Sequence, residues 1–254
     1  MTVKFLGTGT SQGVPVIACD CAVCTSSNVK DNRLRSSVLI ALEGKNLVID
    51  TGPDFRYQML RERVTHLDAV LFTHSHKDHV AGLDDVRAFN RQRGAAVDIY
   101  GTRDVHEALQ REFYYAFSAK RYPGVPMLNL HEITSTPFRL FDHEVIPIEV
   151  MHYLMPVLGF RIGDFTYITD AKTVDDTEVE KINGTKVLVV NALQHEAHIS
   201  HFTLDEAVAF AQRIGAEQTY FTHISHRLGL HREVEAALPD GIFLAYDGLQ
   251  LSIS

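Results

Sequence analysis

Thr73-His74-Ser75-His76-Lys77-Asp78-His79 places three imidazoles and a carboxylate within six residues, directly after the apolar run Ala69 to Phe72. That run reads as a buried strand. In extended chain alternate side chains share a face, so His74 and His76 are expected to point at one cation, while Asp78 and His79, past the bend, reach a second. Imidazole and carboxylate donors suit Zn²⁺, Mn²⁺ or Fe²⁺, and two such ions ~3.5–4 Å apart activate a water and clamp a phosphoryl or acyl oxygen.

Working outward, the remaining chemistry falls at the ends of predicted strands. His152 follows a strand at 144–150, Asp170 one at 165–169, Asn191 and His195 one at 187–190, and His223 one at 219–221. A dinuclear centre takes about seven protein ligands, and His152, Asp170 and His223 supply the three that the first motif lacks. Asp170 is the natural bridge, because a carboxylate can give one oxygen to each cation. The expected sets are His74, His76, His152 and Asp170 around the first cation, and Asp78, His79, Asp170 and His223 around the second. A hydroxide between the two cations would be the nucleophile. Asp50, ending another strand, is expected to support a ligating histidine rather than to bind metal itself.

All three cysteines stand in Cys19-Asp20-Cys21-Ala22-Val23-Cys24. So tight and odd a cluster is a poor disulfide framework. Three sulfurs leave a tetrahedral Zn²⁺ one ligand short, so a histidine from elsewhere is expected to complete the site.

With 254 residues, 45% hydrophobic and 22% charged, the chain is expected to form one globular domain over 1–254, with a zinc-binding cysteine loop near 19–24. No tract of eighteen apolar residues offers a membrane span, and Met1 to Gly7 runs straight into a strand pattern without a basic, apolar leader. A cytoplasmic protein without a membrane partner is expected. A formal charge of −8 argues against a broad grip on nucleic acid, although bound divalent cations would still attract a small phosphate ester. Gly7-Thr8-Gly9-Thr10-Ser11-Gln12-Gly13 reads as a flexible turn, not a phosphate loop, because Pro15 and the cysteines follow where a Walker motif needs Gly-Lys-Ser/Thr.

Local patterns predict a hairpin of 37–42 and 47–49, a helix over 54–63 capped by Asp54 with Phe55, Met59 and Leu60 inward, and a helix over 203–214. The aromatic stretch 102–122 reads as helical, either a lid or substrate wall, or rings that pack core or a dimer surface. Arg35, Arg56, Arg87 and Lys172 are candidate phosphate binders, with solvated charge as the default. His195 and His198 are candidates for substrate contact or ligand support. His66, His106, His131, His143 and His231 read as surface or boundary positions.

Thr73 to His79, His152, Asp170 and His223, spaced in this way through alternating strands and helices, resemble the metallo-β-lactamase superfamily. The resemblance implies an α/β fold, a four-layer αβ/βα sandwich with the site at one edge, and two divalent catalytic metals, Mn²⁺ or Zn²⁺. Within that superfamily the chain resembles the phosphodiesterase branch, the family of phosphoribosyl cyclic phosphate phosphodiesterases. Gly7 to Pro15 leading into the cysteine loop, Thr222-His223-Ile224-Ser225-His226, and His201-Phe202-Thr203-Leu204-Asp205-Glu206-Ala207 carry this likeness. It implies that His226 completes a structural Zn²⁺ site with Cys19, Cys21 and Cys24. It further implies two catalytic residues, Asp78 as a metal ligand and His201 as a group that protonates the leaving oxygen or stabilises charge on phosphorus.

The implied substrate is a small cyclic or nucleotide-like phosphodiester, with a homodimer left open. A tRNA 3′-processing nuclease is disfavoured by the charge and by the lack of a basic insertion. A non-hydrolytic protein resembling pyrroloquinoline quinone biosynthesis protein B would share the cysteine loop, but its relatives tend to lack part of the ligand set. Asp78 disfavours most β-lactamases, and the cysteine loop disfavours glyoxalase-type thioesterases.

Overall fold

Leu47, Ile49, Ala69 and Leu71 face one side of their sheet, whereas Val48, Val70 and Phe72 face the other. This period of two, in strands apolar on both faces, forces a core on each side. The structure, a computed structural model, describes residues 1–120 and 122–253, so Arg121 of the aromatic stretch lies outside it. In chain order, β1 (Thr2–Gly7), β2 (Ser37–Leu42), β3 (Lys45–Ile49), β4 (Ala69–Leu71), β5 (Val97–Gly101) and β6 (Leu128–Glu132) form one sheet. A second contains β7 (Phe138–Leu140), β8 (His143–His152), β9 (Met155–Ile162), β10 (Phe165–Tyr167), β11 (Val187–Asn191), β12 (Gln218–Thr222) and β13 (Ile242–Leu244). The last strand, β14 (Gln250–Ser252), returns to pair antiparallel with β1.

The sheets meet through Val3, Phe5, Ile40, Phe160, Tyr167 and Val189. Helices α1 (Phe55–Arg61), α2 (Lys77–Val80), α3 (Arg87–Arg93), α4 (Arg103–Glu112) and α5 (Tyr114–Phe117) supply Phe55, Val80, Phe89, Leu109 and Ala116 to the outer face of the first sheet. Helices α6 (Asp176–Ile182), α7 (Leu204–Ile214) and α8 (His231–Ala236) cover the second through Ile182, Phe210 and Val234. The layers are therefore helix, sheet, sheet, helix, an αβ/βα sandwich.

Strand direction collects the chemistry. Both β8 and β10 run antiparallel to β9, and β10, β11 and β12 are mutually parallel, so these four strands end at one edge. There His152 closes β8, Asn191 closes β11, and Asp170 and His223 lie just beyond β10 and β12. The loop after β4 joins them, with Leu158 N–H donating to Thr73 O at 3.0 Å.

Several local expectations fail. Asp54 makes no capping bond; its carboxylate instead accepts from the Arg35 backbone at 2.9 Å and pairs with the guanidinium at 3.1 Å. Leu60 is 59% exposed, so the inward face of α1 is Phe55, Gln58 and Met59. The aromatic stretch is helical only through Phe117, with Phe113 and Ala116 buried in core and Tyr114 and Tyr122 exposed. His106 and His231 are buried, not boundary residues. Arg87 and Lys172 pair with Asp84 and Glu206, at 3.2 and 2.7 Å.

His231 Nδ1 lies 3.0 Å from Nη2 of a buried arginine, Arg33, which also donates to Thr8 Oγ1 at 2.8 Å and Ala245 O at 2.6 Å. Burial, then the Arg33 charge, lower His231 from 6.5 to about 4. The unfolded chain therefore binds the extra proton first. The contribution of this histidine to stability is full above pH 6.5 and falls as pH drops toward 4. Urea unfolding of the protein and of His231→Gln across that interval checks this; the variant should lose most of the slope.

Candidate metal centre

The backbone bends sharply at three of the site residues. Asp50, Asp170 and His223 all take positive φ, 64°, 58° and 56°, a region that costs non-glycine residues on the order of 1–3 kcal/mol each and clusters at functional sites. Asn191 holds one of these bends: its Oδ1 accepts from Ala171 N–H at 2.7 Å and its Nδ2 donates to Ala171 O at 3.0 Å.

Three histidines share one arrangement. His79 Nδ1 lies 2.7 Å from Asp50 Oδ2, His152 Nδ1 lies 3.1 Å from Asp170 O, and His74 Nδ1 lies 2.9 Å from Thr73 Oγ1. Thr73 donates its own hydroxyl to Asp50 Oδ2 at 2.8 Å and its N–H to Oδ1 at 2.9 Å, so its oxygen is left to accept from His74. These partners call for a proton on Nδ1 of each ring, so Nε2 is the nitrogen each ring has left to offer a metal. His74 Nε2, His79 Nε2 and His201 Nδ1 are buried without a hydrogen-bond partner among the described residues. Such orphaned nitrogens are costly unless a cation or water meets them, so the donor set fits a divalent metal.

Asp78, His79, Asp170 and His223 offer ligand atoms all within 4.8 Å of one another, as do His152, Asp170 and His201. Asp170 is common to both groups. Its Oδ2 lies 3.4 Å from His79 Nε2 and 3.3 Å from His223 Nδ1, and its Oδ1 4.0 Å from His152 Nδ1 and 3.8 Å from His201 Nδ1. His74 and His76 stand beside these groups, with ring centroids 4.6 Å apart and His76 5.2 Å from His152. Burial alone would raise Asp170, but His223 and His79 outweigh it and hold the carboxyl well below its usual range. Burial opposes charge on His79 too, yet Asp50, Asp170 and Asp78 raise it well above 6.5.

A separate cluster is joined to the first through His226, three residues after His223. The sulfurs of Cys19, Cys21 and Cys24 are 3.3, 3.4 and 3.5 Å from His226 Nδ1. Cys21 is lowered to about 6, first by the Cys24 N–H and then by His226. His195, by contrast, is exposed and turns to Leu228 O at 2.9 Å. His198 stacks near His201, centroids 5.0 Å apart.

Sequence reasoning missed the residues that set ring orientation, namely Thr73, Thr169 and Thr10. Thr169 Oγ1 donates to Asp170 Oδ2 at 2.6 Å and Thr10 Oγ1 lies 3.2 Å from His223 Nε2. A threonine beside a candidate ligand was the signal available for Thr73 and Thr169; Thr10 carried none. Asp50→Asn, which removes the acceptor charge behind both His74 and His79, is expected to weaken retention of a divalent cation about 10–100-fold, measured by competition with a metallochromic chelator.

Residues 45–224 match the family described as a beta-lactamase superfamily domain. The chain is 40% identical over 256 residues to an octanoyltransferase of Porphyromonas gingivalis, a match covering all of this chain and 52% of that protein. It is 32% identical over 123 residues to coenzyme PQQ synthesis protein B of Methylobacterium radiotolerans, covering 43% of this chain and 40% of that protein. The chain thus spans about half the length of the curated relatives it matches. A crystal structure described as a new diphosphatase from the PhnP family superposes with a TM-score of 0.94 at 42% identity, covering 100% of this chain and 98% of that one. The chain belongs to the beta-lactamase superfamily, and its structure is that of a PhnP-like metallo-β-lactamase.

Proposed function

We propose that this chain, acting as one domain over 1–254, is a metal-dependent phosphodiesterase that hydrolyses a small cyclic or nucleotide-like phosphodiester. The observation that carries this reading is the convergence of four histidines on the two oxygens of Asp170. His74, His76, His152 and Asp170 would hold one divalent cation, Asp78, His79, Asp170 and His223 the other, and Cys19, Cys21, Cys24 and His226 a structural Zn²⁺. When bound, Mn²⁺ or Zn²⁺ would lower the pKa of a water toward neutrality and neutralise charge developing on the phosphoryl oxygens.

The protein's own groups supply orientation and hydrogen bonding. Asp50 and Thr73 fix the tautomers of His79 and His74. His201 is held in place by Phe202, whose N–H donates to Ala171 O at 2.8 Å and whose carbonyl accepts from Leu193 N–H at 3.0 Å. Burial, then the charge of His223, lower His201 to about 3, so at neutrality it is an uncharged imidazole. It therefore acts by donating an N–H hydrogen bond to a phosphoryl or leaving oxygen, rather than as an imidazolium acid.

A diphosphate substrate is the second reading, favoured by the structural relative described as a diphosphatase. The octanoyl transfer for which the P. gingivalis relative is named is not carried over, because this chain spans only 52% of that protein. Turnover of a five-membered cyclic phosphodiester, a dinucleoside diphosphate and a precursor tRNA tests the proposal. Cleavage of the diester fastest supports it; preference for the anhydride favours the second reading, and tRNA trimming with tight binding at low salt would overturn both.

A further inference from the structure

The turn Gly7-Thr8-Gly9-Thr10 is laced to the segment bearing His223. Ile224 N–H donates to Thr8 O at 2.9 Å, and Thr10 N–H donates to Ile224 O at 3.1 Å, so backbone pairing grips the residue next to His223 from both sides. The glycines permit this approach: a Cβ on Gly7 would collide with the Arg35 carbonyl oxygen, and one on Gly9 would sit 2.8 Å from that of Arg33. From beneath, Arg33, 4% exposed, donates to Thr8 Oγ1, which in turn donates to Asp247 Oδ1 at 2.8 Å. With Gly9 N–H donating to Leu34 O at 2.7 Å, a turn that the sequence presents as flexible is thus tied at Thr8, Gly9 and Thr10.

Its outermost group is the Thr10 hydroxyl, 3.2 Å from His223 Nε2, while the other ring nitrogen, Nδ1, faces Asp170 Oδ2 at 3.3 Å. We propose that Thr10 is a positioning residue that accepts a hydrogen bond from His223 Nε2–H, so that the Nδ1 lone pair is presented to the second cation. The proposal rests on the reading of His223 as a ligand. It assigns to the Gly7–Thr10 turn the same task for His223 that Asp50 and Thr73 perform for His79 and His74. A hydrogen-bond partner behind a ligating imidazole fixes its tautomer and raises its basicity, and its loss typically costs 10–100-fold in metal affinity.

The test is a Co²⁺ titration followed by visible absorption, with the cysteine loop presaturated with Zn²⁺, on the unmodified chain, Thr10→Val and Thr10→Ser. Valine keeps the shape and removes the acceptor; serine keeps the acceptor. The expected result is a second-Co²⁺ affinity about tenfold or more weaker in Thr10→Val, an unchanged first affinity, and restoration in Thr10→Ser. An unchanged second affinity in Thr10→Val would overturn the proposal. So would parallel loss of both affinities with a lowered melting temperature, which marks a merely structural role. An unmodified chain that takes up no second Co²⁺ would instead remove the ligand reading of His223, and the inference with it.

Discussion

Asp170→Asn is expected to leave a folded protein that retains neither catalytic cation and turns over diesters at the metal-free rate, a loss of at least about 10³-fold, beyond the 10²–10³ of a single lost hydrogen-bond donor. The substitution is nearly isosteric and keeps a side chain able to accept from Thr169. It removes the one negative charge that His79, His152, His201 and His223 all approach within 4.0 Å. Elemental analysis should show the cysteine-loop zinc still present, because that cluster shares no residue with Asp170. Retention of both catalytic cations by the variant would remove Asp170 from its bridging place.

His201→Ala is expected to lower kcat about 10²–10³-fold with cation content unchanged. The chemistry of the loss is set by the lowered pKa. An imidazole that protonates only near 3 has no proton to give at neutrality beyond a shared N–H. His201→Asn, which places an amide N–H in the same region, should therefore recover part of the rate. General-acid catalysis by imidazolium would give no such rescue, and would add a descending limb to the rate as pH rises through the histidine's pKa. Loss of a catalytic cation in His201→Ala would instead mark the residue as a ligand beside His152 and Asp170.

What the sequence made legible was whatever depends on periodicity and on strand ends. The apolar run Ala69 to Phe72 marked a buried strand from its pattern alone, whereas the four-layer sandwich was implied only by the family resemblance. Because the strands β8, β10, β11 and β12 share a direction, residues at their ends had to meet. Interactions set by loops meeting across the fold were not legible. Asp54 has the right type and place for a cap, but Arg35, nineteen residues earlier, takes its carboxylate. His231 is polar and followed by Arg232 and Glu233, and burial comes from its place against Arg33. The edge strands β6 and β7 carry little pattern, because Leu128-Asn129-Leu130-His131-Glu132 is more than half polar and Phe138-Arg139-Leu140 is only three residues long. Thr10 looked like part of a flexible turn because the partner that gives it meaning, His223, lies 213 residues away.

The most direct measurement is metal content of the purified protein together with hydrolysis of bis(p-nitrophenyl) phosphate, with and without added Mn²⁺. The account predicts about three metals per chain, one of them resistant to chelation, and diester cleavage that disappears on chelation and returns with Mn²⁺. About one tightly held zinc per chain, with no diester cleavage under any divalent cation, would contradict it.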